Sequence, residues 1–540
     1  MKKYIFLIVS VCSLGVCWAV PARRDGRIVK QADGSQLTLY THGDEHFHWH
    51  TDEQGRWLRR NEAGNYVALT AQEKEDAVRE RQQVVRQVQQ QTTTASPTNT
   101  LPRGLVILAE YQDVAFATPR DTIDSMLNAE NFTRNYTYTY GNNIYQIKAS
   151  GSARKYFEAS SFGHYSPRFD VVGPYKVSRN MAYYGSDTNG KDAHVRELIV
   201  ELCQMAIADG VDLSLYDGNG DKKVDYVGVI FAGYGQADGG SENTIWPHKS
   251  TIEGENVSSK GYKFALYNCN PEKNYFTKNY MGIGTFCHEF GHVMGLPDIY
   301  STNGSTVHKT CGEWDIMDYG CYVHEGDAPP LYTGYERFFF GWTAPRVLDK
   351  AENVSLNPLE TSNEVLMITS TGTSNLKGTD PNPSLFYLLE NRQQIGCDRH
   401  LPGHGVILTK IDYSYTYWYS NIVNNSASNM RVDIIEADGL APEYDATGKD
   451  RGWFGKAGDA FPEGATEYRG IKDFPITQIE ESAEGVITFL LKGGAPTGDA
   501  IFEAESELAE PVKIMQNGQL LIRKNGIYYT PSGAQLPNNR

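Results

Sequence analysis

The hydrophobic pattern changes period several times along this chain. Residues 23–70 alternate apolar and polar positions over short stretches, broken by turn signals at Asp33-Gly34, at Asp52 to Gly55 and at Glu62 to Asn65. Side chains alternate across a strand, so this zone reads as a small β unit. Residues 71–90, rich in Glu, Gln, Arg and Val, predict a solvated helix, and residues 91–103, rich in Thr, Ser and Pro, predict a linker. An apolar run from Gly104 to Tyr111 then predicts a buried strand. Ser152 to Ser161 predicts a helix and Phe169 to Pro174 a strand. Val195, Leu198, Ile199, Leu202, Met205 and Ala206 recur at helical spacing, so Asp192 to Asp209 predicts a helix that Gly210 ends. Val224 to Ala232 predicts a further strand.

Beyond Pro345 the pattern is short strands and turns, including Leu385 to Glu390, Gly405 to Asp412 and Gly485 to Lys492, which predicts a β-sandwich-like unit over 346–493. The tail, 494–540, places Asn517-Gly518 and Asn525-Gly526 between short strands and reads as a terminal hairpin or a sorting segment. At the other end, Lys2 and Lys3, the apolar stretch Tyr4 to Val16 and Cys17-Trp18-Ala19 read as a signal peptide over 1–19, with cleavage after Ala22 as the close alternative. That stretch is short of the roughly 20 residues a spanning helix needs, and no later stretch is apolar enough to span.

Composition narrows the picture. A formal net charge of −16 argues against nucleic acid or an anionic membrane as the main partner. The chain reads as a soluble, secreted monomer. Six of the eight cysteines lie beyond the signal: Cys203, Cys269, Cys287, Cys311, Cys321 and Cys397. In an exported protein bridges are permitted, and Cys311 with Cys321, which bracket Trp314 to Tyr319, form the candidate pair.

The densest chemistry lies between Gly284 and Tyr300. His288 and His292 are four residues apart, so on a helix both project from one face and can hold one metal ion. Glu289 between them is placed to work on a water as general base. Gly295 stops the helix, after which Asp298 can return as a third ligand. Two imidazoles and one carboxylate leave the fourth zinc position open, as catalysis requires, and zinc lowers the pKa of its water to about 7.

These residues, His-Glu-Phe-Gly-His-Val-Met-Gly-Leu-Pro-Asp, resemble the immune inhibitor A family of secreted bacterial zinc proteases, relatives of the metzincins. The resemblance runs from about residue 100 to 345 and extends more weakly to the flanks. It implies an α+β chain with a zincin/metzincin-like catalytic domain (104–345), preceded by a prodomain (20–90) and a linker (91–103), and followed by an all-β domain. It implies zinc-dependent endopeptidase activity, hence protein or peptide substrates as partners, with Asp298 where most metzincins have a third histidine. Met317 matches the Met-turn methionine beneath the metal, and Tyr319 the tyrosine that in some metzincins assists the transition state.

A second constellation is Asp217, Asn219, Asp221, Lys223 and Asp225. Oxygen ligands at alternate positions of a tight loop suit calcium, with Lys223 contributing its carbonyl. Lys222 stands where such loops usually have glycine, and Gly228 where they have glutamate. A protease of this kind is expected as a zymogen. No cysteine lies in residues 20–100, so latency falls to another donor or to steric cover, and Asp44, Glu45, His46, His48 and His50 are the candidates, with Asp44 or His48 nearest the zinc. The rival reading is a secreted, calcium-stabilised adhesin with a protease-like domain; it has no need of Glu289.

Overall fold

The alternation in residues 27–68 folds as an antiparallel meander in chain order: β1 (Arg27–Lys30), β2 (Gln36–Asp44), β3 (Phe47–Thr51), β4 (Trp57–Arg60) and β5 (Tyr66–Ala68). Trp49 stacks between His42 and Trp57, giving this thin sheet an aromatic face. A helix follows at 71–79. The computed structural model describes residues 18–23, 25–45, 47–79, 102–188, 191–302, 308–369, 372–440 and 455–495, together with three strands of the tail. Residues 1–17, part of the signal peptide expected over 1–19, His46 and most of the linker expected over 91–103 lie outside them.

The longer strands that follow frame the next part of the chain. β6 is Arg103–Glu110, β7 and β8 form a hairpin (Thr133–Tyr140 and Asn143–Ser150), β9 is Arg168–Lys176, β10 Val227–Tyr234, β11 His248–Thr251 and β12 Leu266–Lys273. The central sheet has the order β11-β12-β10-β6-β9, parallel except for β11, which runs antiparallel at one edge. A parallel sheet covered on both faces needs apolar residues throughout, which is why β6 reads as a continuous run. Leu105 and Ile107 enter the core beneath α3 (Val195–Ala208), while Val106 and Leu108 face α1 (Arg120–Asn128), α2 (Ala153–Ser160) and α4 (Gly284–Val293). Arg103 lies inside β6 and pairs with Asp170, so the linker ends before it.

After α4 come an irregular stretch carrying Met317 and then α5 (Gly334–Phe340), closed by a Thr333–Glu336 capping box. Two sheets follow. One has the order β13-β15-β16-β17-β18, where β13 is Arg346–Leu348, β15 Leu366–Ile368, β16 Leu385–Arg392, β17 Gly405–Asp412 and β18 Val432–Ile434. The other joins β14 (Glu352–Leu356), β20 (Ile487–Leu491) and β19 (Ile476–Glu481). The two share a core through Leu366, Leu408, Val354 and Phe489. The opposite face of the first sheet, with Phe386, Ile407 and Val432, belongs to the same core as Phe290, Trp314 and Met317. The parts before and after Pro345 are therefore continuous through one core.

The expected Cys311–Cys321 bridge is absent: the cysteines are free thiols. Cys311 is taken into the core against the Val432 carbonyl, 3.9 Å away, while Cys321 packs at the start of α4, where its carbonyl would lie 2.0 Å from a Cβ on Gly284. The tail forms a separate unit with an antiparallel meander of Val512–Gln516, Gln519–Lys524 and Ile527–Tyr529.

Candidate metal centre and cleft

Every residue of α4 is buried, so its two histidines have no solvent to hydrogen-bond. Their Nδ1 atoms are satisfied by carbonyls, His288 at Ile316 (2.7 Å) and His292 at Leu296 (2.8 Å). Those bonds fix Nδ1 as the protonated nitrogen and leave both Nε2 lone pairs facing inward. Nε2 of His288 lies 3.1 Å from Nε2 of His292, and Asp298 Oδ1 lies 3.2 Å and 3.1 Å from the two. Three lone-pair donors at such separations repel unless a cation lies among them. Ligand bonds of about 2.0–2.1 Å in a tetrahedron require edges of about 3.3 Å, so the set fits zinc.

The chain reaches this geometry by local means. Gly295 takes φ +107° and turns the backbone out of α4, with Leu296 N–H donating to the Gly291 carbonyl at 3.0 Å. Gly291 faces the methionine: a Cβ there would stand 2.7 Å from Met317 Sδ. Met317 is fully buried beneath the helix, and its carbonyl accepts from Ile299 N–H at 2.9 Å, tying the Met turn to the ligand loop.

Asn421 went unnoticed in the sequence. Its Oδ1 accepts from Asp298 N–H at 2.6 Å, and its Nδ2 donates to Asp298 Oδ2 at 2.5 Å. It comes from the loop after β17 and clamps the carboxylate so that Oδ1 faces the histidines. Asn424, from the same loop, donates to the Ile299 carbonyl at 2.8 Å.

Residues 18–23 run extended through the cleft over these groups. Trp18 bridges antiparallel to Lys249 on edge strand β11, and its ring meets His292 edge-on at 5.3 Å. The Ala19 carbonyl accepts from Tyr300 Oη at 2.5 Å, and Val20 N–H donates to Glu289 Oε1 at 2.9 Å. Trp246 Nε1 donates to the Val20 carbonyl (3.0 Å) and Tyr322 Oη to that of Pro21 (2.7 Å). Ala22 N–H reaches the Gly43 carbonyl at 2.9 Å and Arg23 N–H that of Ala237 at 2.8 Å. Glu289 Oε2 has no hydrogen-bond partner among the described residues. Burial, then Asp298 and Glu45, push the Glu289 carboxyl well above the usual range.

The direct contacts to Glu289 and His292 thus come from Val20 and Trp18, a stretch the sequence reading treated as the signal-cleavage region. His48 is turned to Asp187 (3.1 Å) and Gln236 (3.0 Å) and stacks on Trp246; His50 lies beside Thr41. Asp44 and Glu45 are buried, and Gly43 beside them carries the segment's Ala22. Tyr319 lines a cavity with Tyr322 and Arg23, whereas the hydroxyl on the Ala19 carbonyl is that of Tyr300.

In the second constellation Asp217, Asp221 and Asp225 bring carboxylate oxygens within 4.8 Å of one another. Asn219 Oδ1 is turned to Asp221 N–H (2.8 Å), and the Lys223 side chain pairs with Glu253. Lys222 adopts φ +64°, the conformation for which such loops use glycine. Burial, then Asp217 and Asp221, raise Asp225 to about 6.

Residues 90–341 match the family model described as immune inhibitor A peptidase M6, catalytic domain. The chain is 28% identical over 245 residues, 41% of its length, to the pre-pro-metalloprotease PrtV of Vibrio cholerae serotype O1, of which that stretch is 27%. It is 27% identical over 275 residues, 44% of its length, to immune inhibitor A of Bacillus thuringiensis subsp. alesti, of which that stretch is 39%. The chain thus spans well under half the length of the curated relatives it matches.

Proposed function

From a chain whose residues 90–341 carry the catalytic domain of the immune inhibitor A peptidase M6 family, we propose a secreted zinc endopeptidase held latent by its own N-terminal segment. The observation that carries this reading is the extended backbone laid across Glu289, beside three converged ligands. His288, His292 and Asp298 hold the zinc, which when bound supplies Lewis acidity toward a water and a peptide carbonyl. Glu289 takes the proton of the attacking water and returns it to the leaving amine, whose place is marked by Val20 N. Tyr300 donates to the carbonyl oxygen of the same bond, in the role the resemblance gave to Tyr319. Trp246 and Tyr322 hold the chain on the far side of the bond.

Residues 27–68 act as a prodomain, because their sheet braces the segment through Gly43 and Ala22. The all-β part completes the centre by supplying Asn421. Calcium held by Asp217, Asp221 and Asp225 steadies the loop ahead of β10. The test is casein hydrolysis by the processed chain, abolished by a zinc chelator and restored by zinc, with little hydrolysis before the segment is removed. Glu289→Ala should retain zinc and lose about 10²–10⁴ in turnover; wild-type turnover in that variant would defeat the reading.

A further inference from the structure

We infer that the pocket now holding Arg23 is a substrate subsite selective for a basic side chain at the fourth residue after the cleaved bond. This rests on the endopeptidase reading above. Val20 N lies on Glu289, so Val20, Pro21, Ala22 and Arg23 are the first four residues beyond the bond at the metal centre. Arg23 continues the extended run through its N–H to the Ala237 carbonyl. Its guanidinium pairs within the segment with Asp25 (2.6 Å) and with two carboxylates of the pocket wall, Glu325 (2.7 Å) and Asp238 (3.4 Å), over the rings of Phe276 (4.3 Å) and Tyr322 (5.8 Å). A cation between two carboxylates and against two aromatic faces is a complete recognition set for arginine or lysine.

The walls do not depend on the segment. Asp238 is 2% exposed and accepts from Tyr275 N–H at 2.7 Å, while Glu325 accepts from Tyr138 Oη at 2.5 Å. His324 and Glu325 both take left-handed backbone conformations, φ +52° and +62°, a strained arrangement for two side-chain-bearing residues that delivers Glu325 to the pocket. Lys278 stacks on Tyr275 at 3.5 Å and interacts with Asp238 through charge alone, with no ion pair to either acid among the described residues. When the segment leaves, the buried Asp238 and the partly buried Glu325 lose their counter-ion, and a positive side chain from a substrate restores it. A cavity of about 350 Å³ beside Arg23, reaching Tyr319 and Tyr145, gives an incoming chain room.

The experiment digests a complex peptide mixture with the active enzyme recovered from cells secreting the full chain, and reads the new N-termini by mass spectrometry. Arginine and lysine should be enriched about fivefold or more at the fourth residue after the cut, equivalent to a modest charge-pair preference. Glu325→Lys should erase or invert that enrichment, and Asp238→Asn should weaken it. Cleavage without enrichment there, or enrichment that survives both variants, overturns the subsite and leaves the endopeptidase standing. No cleavage of any peptide overturns the endopeptidase reading and the subsite with it.

Discussion

Asn421 supports Asp298 from 123 residues away, gripping both its backbone N–H and its carboxylate. Partners that orient a metal ligand are commonly worth 10–100-fold in metal affinity. Asn421→Ala should therefore weaken zinc binding by about that factor, read by chelator competition, while Asp298→Ala should lose stoichiometric zinc. Tyr300 and Tyr319 can be separated in the same way. Tyr300→Phe should lower kcat by about 10²–10³ with KM little changed, as expected for a donor to a developing oxyanion, and Tyr319→Phe should fall well short of that. The ligands were legible because a helix brings positions four apart together and Gly295 announces the turn. Asn421 was not: an asparagine in a distant loop has no spacing signature, and only the tertiary packing of β17 and β18 against the Met turn brings it near. Tyr300 stood in the motif, but nothing in the sequence indicated which carbonyl its hydroxyl would face.

At the scale of elements, the central sheet was the most legible part, since β6, α3 and β10 follow the apolar run and the helical period with small shifts at their ends. Edge strand β11 was not legible, because four residues are too few to show a period. It carries a titrating group of its own. His248 is buried, donates Nδ1–H to the Trp246 carbonyl (2.7 Å) and accepts at Nε2 from Tyr267 Oη (3.0 Å). The neutral ring satisfies both partners, and burial lowers its pKa to about 4. The unfolded chain, with an ordinary histidine near 6.5, then binds more protons between pH 6.5 and 4, so stability is lost as pH falls through that window. His248 alone should contribute a loss of about 2 kcal/mol between pH 7 and pH 5. His248→Gln should flatten that part of a pH series of thermal melts, even if its baseline stability is lower.

At the scale of the molecule, Pro345 looked like a boundary because the strand-rich pattern begins just beyond it. Sequence pattern reports where elements change type and is silent on which faces they share. Phe386, Ile407 and Val432 join Phe290, Trp314 and Met317 in one core, and Arg392, fully buried, pairs with Asp398 while reaching the carbonyls of Trp314 and Leu331. A chain ended at Pro345 should consequently fail to fold cooperatively, showing no sigmoidal melt and no zinc retention after gel filtration. The hairpin β7–β8 bears on the same scale. Arg134 and Tyr136 fasten it to Asp327 and Tyr138 fastens it to Glu325, but Tyr140, near its tip, donates to the carbonyl of Gly26, which belongs to the stretch that the proposed activation would remove. That mooring would then be temporary. Once that mooring is gone, amide exchange around Gly141 and Asn142 should speed up while exchange in β6 and β10 stays slow, since opening free energies are local. The dormant and awakened enzymes would then carry different deuterium footprints at a place far from any reacting atom.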